Sequence, residues 1–201
     1  QHVLDVVSEA AKNPEEYKYS LGDTGELLSA VEGWYQNRYG VTLQDDEILS
    51  LAGSQEGFAH VALTLCDPGD VVLVPNPGYP VFEAGPFLND AKIAYYELDK
   101  TNHYAPALDK IPEELAKKAK MMVVSYPLNP TCTCIEKADY EKIIAFAKKY
   151  NIAIIHDNAY SEIEYDGRTG FSFLSVPGAK EVGIEFNSLS KTYNLTGIRI
   201  S

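Results

Sequence analysis

The run Met121-Met122-Val123-Val124-Ser125-Tyr126 is apolar at nearly every position. A strand with water on one face alternates apolar and polar residues, so an unbroken run marks a strand covered on both faces. Such a strand needs a layer of chain above it and another below. Val71-Val72-Leu73-Val74-Pro75 and Ile152-Ala153-Ile154-Ile155-His156-Asp157 have the same character, and Lys92 to Tyr96 and Val182 to Asn187 read as further strands. Between them lie helical patterns: a start at Ser54 running through Ala59, Val61, Ala62 and Leu65, a segment over 111–119 opened by Pro112, and one over 137–149 carrying Ile143, Ile144, Phe146 and Ala147. Earlier, Val3, Val6, Val7, Ala10 and Ala11 suggest one helix, and Leu27, Val31, Trp34 and Tyr35 another that stops at Tyr39-Gly40. Asp67 to Asp70 and Pro75 to Gly78 read as turns, the second leading into a helix. Strands alternating with helices predict an α/β three-layer sandwich with a mostly parallel sheet.

Composition removes several classes of function. The formal net charge is −12, and an acidic surface of that size repels nucleic acid and anionic membranes, so neither is an expected partner. No apolar run reaches spanning length and no charged-then-apolar leader opens the sequence. The cysteines are Cys66, Cys132 and Cys134, too sparse for a disulfide framework and in keeping with a reducing compartment. Cys132-x-Cys134 has no companion ligands at zinc spacing, so no metal is expected. A cytoplasmic protein follows. A length of 201 residues suits one large domain, or one and part of another. The sequence starts at Gln1 within a helical pattern and stops on Arg199-Ile200-Ser201, so a fragment is expected.

In an open α/β sheet ligands collect at the carboxyl ends of the strands. Here those ends carry Tyr126 to Asn129, Asp157 to Tyr160 and Asn187 to Lys191. In Ser188-Leu189-Ser190-Lys191 a lysine follows two hydroxyls, and Arg199 follows eight positions later. Such a lysine can form a Schiff base while the hydroxyls and guanidinium hold a phosphate. To attack an aldehyde it must first lose its proton, so an inward-pointing Lys191 is expected. Asp157 ends an apolar strand, and a buried carboxylate is costly unless a cation meets it. A pyridinium nitrogen is one such partner; capping the following turn is the competing role. Tyr160 can donate to an oxygen of the same ring. Gly53-Ser54-Gln55-Glu56-Gly57 precedes a helix, whose free amides and positive dipole end suit a phosphate, with ordinary capping by Ser54 as the alternative. Tyr79, in Pro77-Gly78-Tyr79-Pro80, either stacks on a ring or packs in the core.

These elements, in this order, resemble the class I/II aminotransferases of fold-type I, in the group that holds aspartate and LL-diaminopimelate aminotransferases. Gly-Ser-Gln-Glu, Pro-Gly-Tyr-Pro, Asn129-Pro130-Thr131, Asp157-Asn158-Ala159-Tyr160, Ser188-Leu189-Ser190-Lys191 and Arg199 all stand in the family's register. The resemblance implies pyridoxal 5'-phosphate (PLP) as cofactor, bound by a Lys191 Schiff base. Ser54, Gln55, Ser188 and Arg199 would hold its phosphate, Asp157 its ring nitrogen, Tyr160 and Asn129 its ring oxygen, and Tyr79 would stack on it. Lys191, Asp157 and Tyr160 would be catalytic. Cys132 stands where the family has glycine, which bears on the local backbone.

The implied reaction moves an amino group between an amino acid and a 2-oxo acid. A homodimer is also implied, with Tyr17 or Tyr19 reaching the partner's site. So are a segment 1–30 arriving from a small domain, a partial large domain over 31–201, and an absent C-terminal small domain that carries the substrate-gripping arginine. A PLP-dependent carbon–sulfur β-lyase would use nearly the same residues, and a non-catalytic PLP-binding regulatory module is a third reading. Ser188-x-x-Lys191 also fits the acyl-enzyme motif of penicillin-binding proteins, but its companion elements are missing, since Lys191-Thr192 runs into Tyr193.

Overall fold

A computed structural model describes residues 1–201 and divides them into two compact units, Gln1–Ser50 and Leu51–Ser201. In the first, helix α1 is His2–Ala10 and helix α2 is Gly25–Tyr39. Thr24 opens α2 by accepting the Leu27 amide, and Gly40 closes it at a φ of 68°. That left-handed closure is easy for glycine. Asp23 takes the Ser50 amide and hydroxyl, tying the end of the unit to its middle. Tyr17 and Tyr19 are both exposed, and Tyr17 donates its hydroxyl to the Ala11 carbonyl.

The second unit is built on five parallel strands: β1 Val71–Asn76, β2 Lys92–Glu97, β3 Ala119–Ser125, β4 Ala153–Asn158 and β5 Gly183–Asn187. Their order across the sheet is β2-β1-β3-β4-β5. Helices α3 (Ser54–Leu65) and α4 (Ala84–Leu88) join them, followed by α5 (Glu113–Ala116), α6 (Lys137–Tyr150) and α7 (Leu189–Thr192). Successive strand residues face opposite ways, which sorts the core into two. Val72, Val74, Met121, Val123 and Ile155 pack with Phe58, Val61 and Ala62 of α3. Leu73, Met122, Val124 and Ile154 pack with Ile143, Ile144 and Ala147 of α6 and with Phe173. The central strands are therefore covered on both faces, as their unbroken apolar runs require. The sandwich has three layers and its sheet is wholly parallel.

The predicted helix over 111–119 is shorter than expected. It covers only Glu113–Ala116, because Ala119 is already paired with Val71 in the sheet. α3 and α4 touch closely at Gly85, where an added Cβ would lie 2.2 Å from the Phe58 carbonyl oxygen. Gly85→Ala is expected to cost about 1–3 kcal/mol, the usual price of overpacking; thermal unfolding measures it.

The topology sets where a ligand belongs. From β1 the chain goes to β2 on one side and then returns to place β3 on the other side of β1. The carboxyl ends of β1 and β3 therefore flank a switch point, the usual crevice of a doubly wound sheet.

Candidate active site

A cavity of about 410 Å³ opens at that edge of the sheet. Ser54, Gln55 and Phe58 reach it from the start of α3, Tyr79 and Val81 from beyond β1, and Asn129 from beyond β3. Asp157, Ala159 and Tyr160 come from the end of β4, and Ser188, Ser190, Lys191, Thr196 and Arg199 from beyond β5. All of the site residues expected from sequence thus line one cavity, although they are spread from position 54 to position 199.

Asp157 is the centre of its electrostatics. The carboxylate is 8% exposed, and its one hydrogen bond is from the Ser125 hydroxyl to Oδ2 at 3.4 Å, across the β3–β4 register pair. Oδ1 is buried with no partner. Asp157 therefore caps no turn. Burial pushes its carboxyl up to about 6, against the pull of a protonated His156, the Ser125 hydroxyl and the Lys191 charge. A buried oxygen left unpaired at a cavity wall costs about 1–3 kcal/mol unless a ligand donor meets it. A protonated pyridine nitrogen has the charge and the single donor that Oδ1 lacks, so the residues present fit PLP.

The wall of the cavity formed by the start of α3 is built around Gly53. This residue sits at φ 87° and ψ 148°, a conformation nearly restricted to glycine. Gly53 holds the capping position, so Ser54 is the first residue of α3, and it lines the cavity. The first amides of a helix have no partner within its regular ladder, and a helix start at a cavity wall is an arrangement that binds phosphate. Arg199 lies against this turn, donating to the Thr196 carbonyl at 2.8 Å and to the Ala52 carbonyl at 3.4 Å. Ser188 is buried and accepts the Ser190 amide at 3.1 Å, which opens α7 and leaves its hydroxyl hydrogen free to donate.

Lys191 departs from expectation: it lines the cavity but is exposed. After β5 the chain turns at Ser188 into a four-residue helix, so Lys191 leaves from the rim rather than from within the sheet.

On the ring side, Tyr79 accepts a hydrogen bond from Gln55 Nε2 at 2.8 Å and meets Phe82 in a T-shaped contact. Burial raises the Tyr160 phenol, as does the charge of Asp157, while the Asn129 amide opposes them. Asn129 and Tyr160 are thus neighbours on one wall. Cys132, at the family's glycine position, adopts φ 59°. Its amide reaches the Leu128 carbonyl at 2.7 Å and the Leu128 amide reaches Thr133 at 2.8 Å, so the turn a glycine would make is made by cysteine. The bonds before Pro77, Pro127 and Pro130 are cis.

Sequence reasoning missed Ser125, Phe58, Val81 and Thr196. Ser125 had a legible signal, as the polar residue ending an apolar strand. Phe58 and Val81 had none, being indistinguishable from core residues in a pattern.

The family model for class I and II aminotransferases matches residues 1–201. The chain belongs to the class I and II aminotransferase family. Among curated proteins, this aminotransferase chain is 46% identical to the LL-diaminopimelate aminotransferase of Moorella thermoacetica, over 99% of the chain and 52% of that protein. It is 42% identical to that of Syntrophobacter fumaroxidans, again over 99% and 52%. Among solved structures, substrate-bound BacF from Bacillus subtilis superposes with a TM-score of 0.95 at 38% identity, covering 99% of this chain and 51% of that one. An aminotransferase from Staphylococcus aureus gives 0.95 at 34% identity, covering 100% and 53%. The chain spans about half the length of the curated relatives it matches.

Proposed function

We propose that this chain carries the cofactor half of a PLP-dependent aminotransferase site, moving an amino group between an amino acid and a 2-oxo acid. The observation that carries the reading is the unpartnered, buried Asp157 Oδ1 on the wall of a cavity whose far end is a phosphate-type helix start. The names of the relatives support LL-diaminopimelate as the amino-acid class.

When bound, PLP supplies an aldehyde for the amino group and a ring that accepts electrons from the substrate carbon. Asp157 holds the proton on the ring nitrogen, which keeps that acceptor strong. Ser54, Gln55 and the α3 amides grip the phosphate, with the Ser188 hydroxyl and the Arg199 fork. Tyr79 stacks on the ring, a contact worth about 0.5–1.5 kcal/mol beyond burial. Tyr160 and Asn129 donate to the ring oxygen. Lys191 at the rim takes a proton from the substrate carbon and returns it elsewhere, as general base and then acid.

The reading extends to the whole protein: residues 31–201 belong to a cofactor-binding large domain, with 1–30 as the segment leading into it. We propose a cytoplasmic homodimer. No helix is long and apolar enough to cross a membrane, and the exposed Leu4, Val6, Tyr19 and Leu21 give the N-terminal unit an apolar surface that suits a partner subunit.

The test is a PLP titration of the full-length protein followed by absorbance. Wild type is expected to gain a visible band that Lys191→Ala does not form, and a wild type without the band rejects the proposal. Transfer of the amino group to a 2-oxo acid, rather than release of ammonia and thiol, separates it from a β-lyase.

A further inference from the structure

Strand alternation puts Asp157 on the cavity side of β4 and His156 on the α6 side. His156 is completely buried, and so is the side chain of Glu185, its register partner on β5. Tyr140 of α6 completes a chain: its hydroxyl is 2.7 Å from His156 Nε2, and His156 Nδ1 is 2.9 Å from Glu185 Oε2. Glu185 also accepts the Ser172 hydroxyl at 2.7 Å and the Phe173 amide at 2.8 Å. The proposed chemistry uses none of these groups. Stability does not call for them either, since apolar residues of equal volume often replace a buried polar pair without loss.

Counting donors assigns the hydrogens. Burial works to raise Glu185, but His156, by its hydrogen bond and by its charge when protonated, and the hydrogen bond from Ser172 outweigh it and hold the carboxyl below its ordinary value. Glu185 is then an acceptor only, so His156 Nδ1 carries a hydrogen. Burial raises the Tyr140 phenol well above its ordinary value, so it keeps its hydrogen, and His156 Nε2 is its hydrogen-bond partner. Tyr140 therefore donates to Nε2 and Nδ1 donates to Glu185. Every hydrogen is used, and the negative charge remains on Glu185, one strand away from Asp157.

We propose that His156 and Glu185 are positioning residues for Asp157: they lock the carboxyl end of β4 and place a fixed negative charge behind it that favours a cationic ring nitrogen on the cavity face. The inference rests on the reading of Asp157 as the partner of that nitrogen. The titratable groups around Asp157 are His156 on its own strand, Glu185 on β5, Lys191 on α7 and Tyr160 beyond β4. Of these, the Glu185 charge works to raise the Asp157 carboxyl, while Lys191 and a protonated His156 work to lower it.

Glu185→Gln keeps the size and removes the charge. In the unliganded protein, the Asp157 carboxyl followed by carbon NMR is expected to titrate at lower pH in this variant than in wild type. An unchanged or higher midpoint overturns the proposal. PLP binding to Glu185→Gln is expected to weaken about 10-fold, the lower end of what outer-shell partners contribute at metal sites; unchanged affinity overturns it too. Should the variant not fold, nitrogen NMR of wild-type His156 decides. A hydrogen on Nδ1 alone supports the chain as drawn, and hydrogens on both nitrogens, or on Nε2 alone, sink it. A wild-type protein that bound no PLP would remove the functional reading, while the unliganded titration would still judge this one.

Discussion

Gly53→Ala is expected to weaken PLP binding about 10- to 100-fold and to lower stability at the same time. Two independent features produce this. The backbone at Gly53 has φ 87° and ψ 148°, and holding an L-residue there costs on the order of 1–3 kcal/mol. A Cβ at this position would also lie 1.9 Å from Arg199 Nη2 and 2.7 Å from its Cζ. The contact is with the far end of a flexible side chain, which moves aside, so the guanidinium leaves its place beside the first turn of α3. Losing one hydrogen bond to a charged group removes about 1.5–3 kcal/mol, which is roughly the stated fold-change. Arg199→Ala separates the two features. It removes the guanidinium without touching the backbone, so it should lose similar affinity and leave the unfolding temperature nearly unchanged. PLP titration and thermal unfolding of both variants give the answer, and a Gly53→Ala protein with wild-type affinity would rule out Arg199 as a phosphate ligand.

The contrast between Gly53 and Lys191 shows what the sequence could carry. The strands were legible because burial on both faces leaves an unbroken apolar run, and their polar ends followed from the topology of any parallel sheet. That argument alone placed Asp157, Asn129 and Ser188 near one rim, and the structure brings them to one cavity. Side-chain exposure was not legible in the same way. Lys191 was expected to point inward, but a four-residue helix that begins at Leu189, capped by Ser188, leaves it at the rim. Nothing in a run of Ser-Leu-Ser-Lys announces such a short element. The length of α5 failed for a related reason: Pro112 correctly marks a start, but pairing of Ala119 with Val71 ends the helix from outside its own sequence. His156 and Glu185 were read only as parts of their strands. Their role depends on a contact between positions 29 residues apart, and only the register of β4 against β5 brings them together.

Asp157→Asn should stabilise the unliganded protein while removing its grip on the cofactor. Burial places the Asp157 carboxyl at about 6 in the folded chain, against an ordinary value of 3.8. The folded state therefore holds the proton more tightly than the unfolded state does. The stability that proton gives is fully present below pH 3.8, declines between the two values, and is lost above pH 6. A shift of about two units corresponds to roughly 3 kcal/mol. Asparagine carries no charge at any of these pH values, so the substitution should raise stability by up to about 3 kcal/mol at pH 7.5. For a domain of this size that is an unfolding temperature higher by about 6–12 °C. The gain should shrink steadily as the pH is lowered toward 4. PLP affinity should move the other way. In wild type it falls as pH drops through 6, because a protonated carboxyl no longer attracts a cationic nitrogen, and in Asp157→Asn it is low throughout and lacks this step. Unfolding temperatures and PLP titrations across pH 5 to 8 measure both halves. If the asparagine variant were less stable than wild type at pH 7.5, the carboxylate would be a structural element with a protein partner, and its free Oδ1 would need another explanation. If it is more stable, the chain maintains a charge at the end of β4 that its own fold opposes, and only a cation arriving in the cavity can offset that cost.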